Sequence, residues 1–179
     1  MPTYVAFLRA INLGAKRKFP KDAIRASAEG AGFTDVETYL NTGNVRVRTS
    51  LRSLPRVEAA LEAAFAQDRG FEVPTIVFGL PELSEVVARA GELGERHGPL
   101  ERHYITLLRD PLPSATAAEI EAESSEAVHI VVHGRSVHLM WRHAVPGDVD
   151  PLGAAAARKL GLGSARTARV LAELTRRWG

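Results

Sequence analysis

The 179-residue sequence has no cysteine, which removes a disulfide scaffold, a thiolate zinc site and a cysteine nucleophile together. It has no run of about 18 apolar residues, so no membrane-spanning helix and no membrane partner are expected. Met1-Pro2-Thr3-Tyr4 leads straight into a strand-like segment, without the basic region and apolar stretch of a signal peptide, so the expected compartment is the cytoplasm. Catalytic signatures are missing as well. There is no nucleophile elbow, no His-Glu-x-x-His helix and no close pair of acids in a glycine context. Those absences neither announce an enzyme nor exclude one.

What is present is an ordinary globular composition, 45% hydrophobic and 25% charged. The net charge of +2 is too small to argue for nucleic acid, but its distribution is uneven. Residues 1–21 carry Arg9, Lys16, Arg17, Lys18 and Lys21 with no acid, and the tail from Pro151 has six basic residues against Glu173 alone. Between Leu80 and Glu126 stand ten acids and four bases. Such opposite local fields suit an anion-attracting region, or halves that attract each other.

Apolar spacing predicts a strand over Tyr4–Leu8, a glycine-containing polar loop over Arg9–Phe19, and a helix from Pro20 to about Ala28. Val36–Leu40 and Val45–Arg48 alternate around Asn41-Thr42-Gly43-Asn44, a hairpin signal. A two-residue Thr42-Gly43 turn would set Leu40 opposite Val45, Tyr39 opposite Arg46 and Glu37 opposite Arg48. A helix over Leu54–Phe65 and a strand over Val73–Phe78 complete a β-α-β-β-α-β order, the ferredoxin-like arrangement. After a linking helix from Pro81 to about Ala90, the order restarts with a strand over His103–Leu108 and a helix over Ser114–Ala122, with Ser114 as N-cap. Strands over Val128–Val132 and Val137–Trp141 flank a Gly134-Arg135 turn, and helices follow near Leu152–Leu160 and Ala165–Trp178. The expected fold is α+β: tandem ferredoxin-like halves at 1–80 and 81–179, the second lacking its last strand, with antiparallel sheets covered by helices.

Residues 4–14, Tyr-Val-Ala-Phe-Leu-Arg-Ala-Ile-Asn-Leu-Gly, together with Gly32–Val36 and Thr38–Val45, resemble the bacterial domain-of-unknown-function family 1697. That family favours a Leu-Arg-Gly-Ile-Asn-Val-Gly-Gly stretch and a Thr-Tyr-(Ile/Leu)-x-(Ser/Thr)-Gly-Asn-Val stretch. The resemblance is strong over residues 1–48 and implies ferredoxin-like halves without implying an activity. Ala10 and Ala15 stand where the family has glycines, and the tail departs from it at Gly147–Pro151 and Arg166–Arg169.

Strand order 4-1-3-2 places the end of the first strand beside the turn joining the second and third. Arg9 and Asn12 thereby meet Asn41, Thr42 and Asn44, a group of donors suited to a phosphate or carboxylate. The competing reading is that the asparagines satisfy turn backbone and Arg9 pairs with a carboxylate. Lys16-Arg17-Lys18 before a helix start also favours anions, against a plain solvated charge run. His129, His133 and His138 share one sheet face, but no carboxylate completes a zinc set; a solvated or half-packing face and no metal are expected. The Tyr39/Arg46 face lacks the stacking aromatics of an RNA-recognition module, so no specific nucleic acid is expected, and packing is its better reading.

The leading expectation is a small-anion binding module using Arg9, Asn12, Lys16, Asn41, Thr42 and Asn44, with no cofactor, as a monomer or weak homodimer. The alternatives are an enzyme acting on a phosphorylated or carboxylated metabolite at the same edge, and a protein-protein interaction or dimerisation domain.

Overall fold

The computed structural model describes residues 1–144 and 151–179; the tail departure at Gly147–Asp150 lies outside the described residues. Two four-stranded antiparallel sheets organise the chain. The first contains β1 (Thr3–Leu8), β2 (Thr34–Tyr39), β3 (Asn44–Arg48) and β4 (Thr75–Gly79), ordered β2-β3-β1-β4, with α1 (Lys21–Gly30) and α2 (Leu54–Arg69) as crossovers. After α3 (Leu80–His97) the plan repeats with β5 (Arg102–Leu108), α4 (Ser114–Ala122), β6 (Val128–His133), β7 (Ser136–Trp141), α5 (Ala154–Lys159) and β8 (Gly163–Thr167), ordered β6-β7-β5-β8. The chain ends in α6 (Ala168–Trp178) and divides into a unit of Met1–Leu83 with Trp178–Gly179 and a unit of Ser84–Arg177.

The fold is α+β with two ferredoxin-like halves, and the second half is complete. Its last strand, β8, hid in the sequence because Gly-Ser-Ala-Arg-Thr has no large apolar residue and abuts the final helix. Small size is what the position requires: a Cβ on Gly163 would lie 2.8 Å from Thr106 Cγ2 and 3.1 Å from Leu108 Cδ2. α4 spans the expected Ser114–Ala122, but its N-cap is Pro113 instead of Ser114, with no side-chain cap.

In the first half, helical spacing turns Val57, Leu61 and Phe65 of α2 inward, beside Ile24 and Ala28 of α1. They pack on the β1 face that carries Tyr4, Ala6 and Leu8. Pro55 at the start of α2 and the left-handed Gly70 at its end (φ 71°) set the helix limits.

The hairpin differs from expectation. Tyr39 faces Asn44, Thr38 faces Val45 and Glu37 faces Arg46, so the turn is the four residues Leu40–Gly43. Register has slipped by two, which keeps every side chain on its expected face. Arg46 accordingly pairs with Glu37 at 3.3 Å, and Arg48 with Asp35 at 2.8 Å across a bulge in β2.

Neither sheet exposes one whole face, which departs from expectation in the second sheet, where the alternation suggested a solvated side. Val5, Phe7, Ile76 and Phe78 are fully buried on one side of β1 and β4, as are Ile105, Leu107, His138 and Met140 in the second half. The expectation of a solvated or half-packing histidine face is corrected at His138, which is fully buried, while His129 is half-buried and His133 exposed. His129 stacks on His97 of α3 with ring centroids 4.2 Å apart, while His138 contacts His103 at 3.1 Å. No group of three metal-ligating side chains occurs among the described residues.

Outward N–H groups of two edge strands are satisfied by side chains. On β4, Thr75 donates to Glu62 at 2.8 Å and Val77 to the buried Glu58 at 3.0 Å. On β6, Val128 donates to Ser125, Ile130 to Ser124 and Val132 to Glu121, at 3.2, 3.0 and 2.8 Å. No described helix is long and apolar enough to cross a membrane.

Candidate functional site

β1 ends at Leu8, and the chain leaves the sheet through two backbone bonds. Leu8 N–H donates to Gly43 O in the hairpin and Arg9 N–H to Pro74 O on the β4 side, each at 2.8 Å. The loop over residues 9–20 then runs out and back, pinned by Ile11 and Phe19, both buried. Phe19 meets Phe65 edge-on at 5.2 Å, with the Arg69 guanidinium over its ring.

Asn12 stitches the loop together. Its Nδ2 donates to Asn41 O at 2.8 Å and Phe19 O at 3.4 Å, and its Oδ1 accepts from Phe19 N–H at 2.9 Å. The loop and the β2–β3 turn thus lie side by side, as the strand order demands. Gly43 makes that approach possible: at φ 76°, a Cβ there would stand 2.7 Å from Leu8 Cβ and 3.0 Å from Ile11 Cδ1.

Between the loop, the hairpin turn and the first turn of α1 lies an open groove of about 580 Å³, lined by Asn12, Gly14, Lys18, Pro20, Lys21, Asp22 and Asn41. Its charged groups are two lysines and one aspartate. No side chain caps the start of α1, so the early N–H groups of that helix add positive character at the same end.

Backbone strain is concentrated here. Ala10, Asn12 and Leu40 hold positive φ of 54°, 55° and 58°, with Asp35 the other non-glycine residue so placed among those described. Asparagine adopts that region readily; for alanine and leucine it costs about 1–2 kcal/mol each. Ala10 thus keeps a glycine-like conformation without being glycine.

The expected site residues separate into groups. Asn12 and Asn41 line the groove. Asn44 is fully buried, its Nδ2 donating to Tyr39 O at 2.9 Å and Thr42 Oγ1 at 3.0 Å, so Asn44 and Thr42 brace the turn. Arg9 and Lys16 are exposed and stand outside the groove lining.

The model of the family described as Protein of unknown function (DUF1697) matches residues 1–138. The chain belongs to that family. A solved structure described as conserved bacterial protein SP0830 from Streptococcus pneumoniae shares the fold: TM-score 0.72, with 99% of this chain and 98% of that chain covered at 18% identity. No curated protein matches the chain.

Several residues that shape this DUF1697 site escaped the sequence reading. Arg17, taken as part of a charge run, is a clip: its guanidinium donates to Ala10 O and to Glu72 O and lies over the Phe71 ring at 4.6 Å. Its position gave no signal, because both acceptors are backbone carbonyls. Lys21 enters only through the basic excess of residues 1–21, and Asp22 reads simply as the start of a helix.

The second half closes the equivalent edge. There Leu108 N–H donates to Arg135 O at 2.8 Å, and the Arg135 guanidinium donates to Leu108 O at 3.2 Å and Arg109 O at 2.9 Å.

A second polar chain lies in that half. The Ser136 hydroxyl donates to His133 O at 2.7 Å, so its oxygen accepts from His138 Nε2–H at 3.2 Å. In the neutral ring His138 Nδ1 then accepts from His103 Nε2–H at 3.1 Å. With both rings neutral, as burial favours, this arrangement satisfies every nitrogen in the chain of contacts between them. Burial pushes His103 down to about 4; burial, then the charges of His103, His133 and Arg89, push His138 down to about 3.

Proposed function

We propose that this chain binds a small anionic ligand, a carboxylate or phosphate, in the groove between the 9–20 loop, the β2–β3 turn and the start of α1. One observation carries the reading: Lys18, Lys21, Asn12 and Asn41 line a single groove of about 580 Å³. Two ammonium groups against one carboxylate leave a net positive lining, and the Asn41 amide supplies directional hydrogen bonds beside it, the Asn12 amide being engaged by Phe19 and Asn41. Asp22 limits the net charge to +1 and favours a ligand that also offers a donor, such as a hydroxyl. No hydroxyl, imidazole or thiol stands among the described lining residues, so an enzymatic reading would have to draw its acid, base or nucleophile from Lys18, Lys21 or Asp22, the same groups that the binding reading uses for charge.

Thermal melts of wild type and a Lys18→Ala/Lys21→Ala variant, against a panel of phosphates and carboxylates at constant ionic strength, test the proposal. Both lysines are exposed, so the unliganded variant should melt within a few degrees of wild type. Wild type should gain about 2.7 kcal/mol at a hundredfold excess over Kd, and the variant nothing. Phosphate also stabilises proteins by exclusion from their surface, so an equal gain in both proteins would refute the reading.

A further inference from the structure

Residues 9–20 join β1 to α1 with only a single 3-10 turn, Ala15–Arg17, as regular structure. Between the buried Ile11 and Phe19 every residue is exposed except Arg17, which is half-buried. Arg17 holds the loop by both its side chain and its backbone. Its Nε donates to Ala10 O, and a terminal guanidinium nitrogen donates at 2.6 Å to Glu72 O, in the connection between α2 and β4. The same group lies over the Phe71 ring, and the Arg17 carbonyl accepts from Asn12 N–H at 2.7 Å. Ala10 and Asn12 are the non-glycine residues of this loop with positive φ. Backbone in that region persists where its surroundings fix it, and one arginine supplies a bond to each.

The loop gives the groove Asn12, Gly14, Lys18 and Pro20, while Arg17 stands outside the lining. Asn12 is bonded to the Arg17 carbonyl. Lys18 lies between Arg17 and Phe19, whose N–H is bonded to Asn12 Oδ1, so its backbone is anchored on both sides. We infer that Arg17 is a positioning residue for the anion site. It touches no ligand; by clipping the loop to residues 71 and 72 it presets Asn12 and Lys18 where the anion is received. The inference rests on the anion-binding reading above. Without the clip the loop takes other conformations, and affinity falls with the fraction of chains whose loop is competent. Charge alone is the competing explanation. Lysine separates the two, because it keeps the charge but cannot fork onto two carbonyls while lying flat on a ring.

The test is a titration of the full chain with inorganic phosphate and with acetate at constant ionic strength, followed by backbone amide NMR shifts. Arg17→Lys should weaken binding about tenfold, the competent fraction falling to about a tenth, and Arg17→Ala at least as much. Arg135→Ala loses the same kind of bonds to two carbonyls in the second half and should bind as wild type does. In both Arg17 variants, nitrogen relaxation should show added motion at residues 10–18 that saturating phosphate removes, a response that an arginine serving stability alone would not give. Affinity restored in full by Arg17→Lys assigns Arg17 to charge and overturns positioning. Unchanged affinity in both Arg17 variants overturns it and spares the anion reading, as does an equal loss in Arg135→Ala, which would tie affinity to global stability. Wild type that binds neither anion overturns both. If the Arg17 variants do not fold, Phe71→Leu removes the ring and leaves both bonds. It should weaken binding about twofold to threefold, and unchanged affinity there overturns positioning.

Discussion

The two halves leave their first strands by the same pair of hydrogen bonds. Leu8 and Leu108 N–H donate across to the hairpin at Gly43 O and Arg135 O, both at 2.8 Å. Arg9 and Arg109 N–H donate to the other side, at Pro74 O and Leu162 O, at 2.8 and 2.9 Å. From that shared point they diverge. The first half spends residues 9–20 reaching α1 and turns its hairpin through Leu40–Gly43, whereas the second needs only residues 109–113 and the pair Gly134-Arg135. The groove is therefore a product of two lengthened connections and not of the fold. Where the connections are short, an arginine side chain fills the space. Function grafted onto a scaffold in this way is the usual relation of site to fold.

The largest effect expected from this contrast is at the hairpin glycines. Gly43→Ala must place a Cβ 2.7 Å from Leu8 Cβ at φ 76°, while at Gly134, φ 54°, nothing lies within 4 Å. Urea unfolding should show a loss of about 3 kcal/mol or more for Gly43→Ala, against about 1 kcal/mol for Gly134→Ala. Equal losses would mean that β1 yields to the turn and that the close approach is not rigid.

Acid should separate the halves next. All six histidines lie after residue 96, in the unit Ser84–Arg177. Unfolded histidine titrates near 6.5, whereas His103 and His138 fall to about 4 and about 3 when folded. Below pH 6.5 the unfolded chain thus binds more protons than the folded one. The histidine contribution is complete above that pH and is lost as pH falls toward the folded values, by up to about 1.4 kcal/mol per pH unit for each ring. Hydrogen exchange at pH 7, 5.5 and 4.5 should show β5 and β7 losing protection before β1 and β3. Uniform loss in both sheets would remove the buried pair as the cause.

The smallest effect is at the plug. Arg135→Ala removes two hydrogen bonds from partly buried carbonyls and should cost about 1 kcal/mol. It opens the edge of the second half without creating the lysine and asparagine lining of the first, so under the proposed anion-binding reading the variant should gain no second anion site by titration. A new site of similar affinity would show that the opening alone, and not its lining, defines binding.

The sequence made the strand order legible, and with it the meeting of Asn12 with Asn41, because β-α-β-β-α-β order leaves few topologies. It also gave the second hairpin its register, with Val131 opposite His138. The first hairpin misled. Leu40 reads as strand because nothing local shows that a leucine will take a left-handed conformation, and Asn44 spends its amide within the turn. Burial was misread for a different reason: alternation in one strand reports a contrast in polarity, and β7 alternates Val137 and Leu139 with Ser136 and His138, all of them buried. The clip Arg17 and the plug Arg135 bind backbone carbonyls, which leave no trace in residue spacing.

The satisfied edges of β4 and β6 bear on how the chain behaves when crowded with copies of itself. An open strand edge is a template for cross-β stacking, and proteins commonly blunt it with lysine, proline or a bulge. Here the blunting comes from Glu58, Glu62 and Glu121 on helices that already cross their sheets, with Ser124 and Ser125 beside β6. An incoming strand must expel a hydrogen-bonded carboxylate from each edge before it can add, so resistance to fibril growth is carried by the same helices that close the two cores.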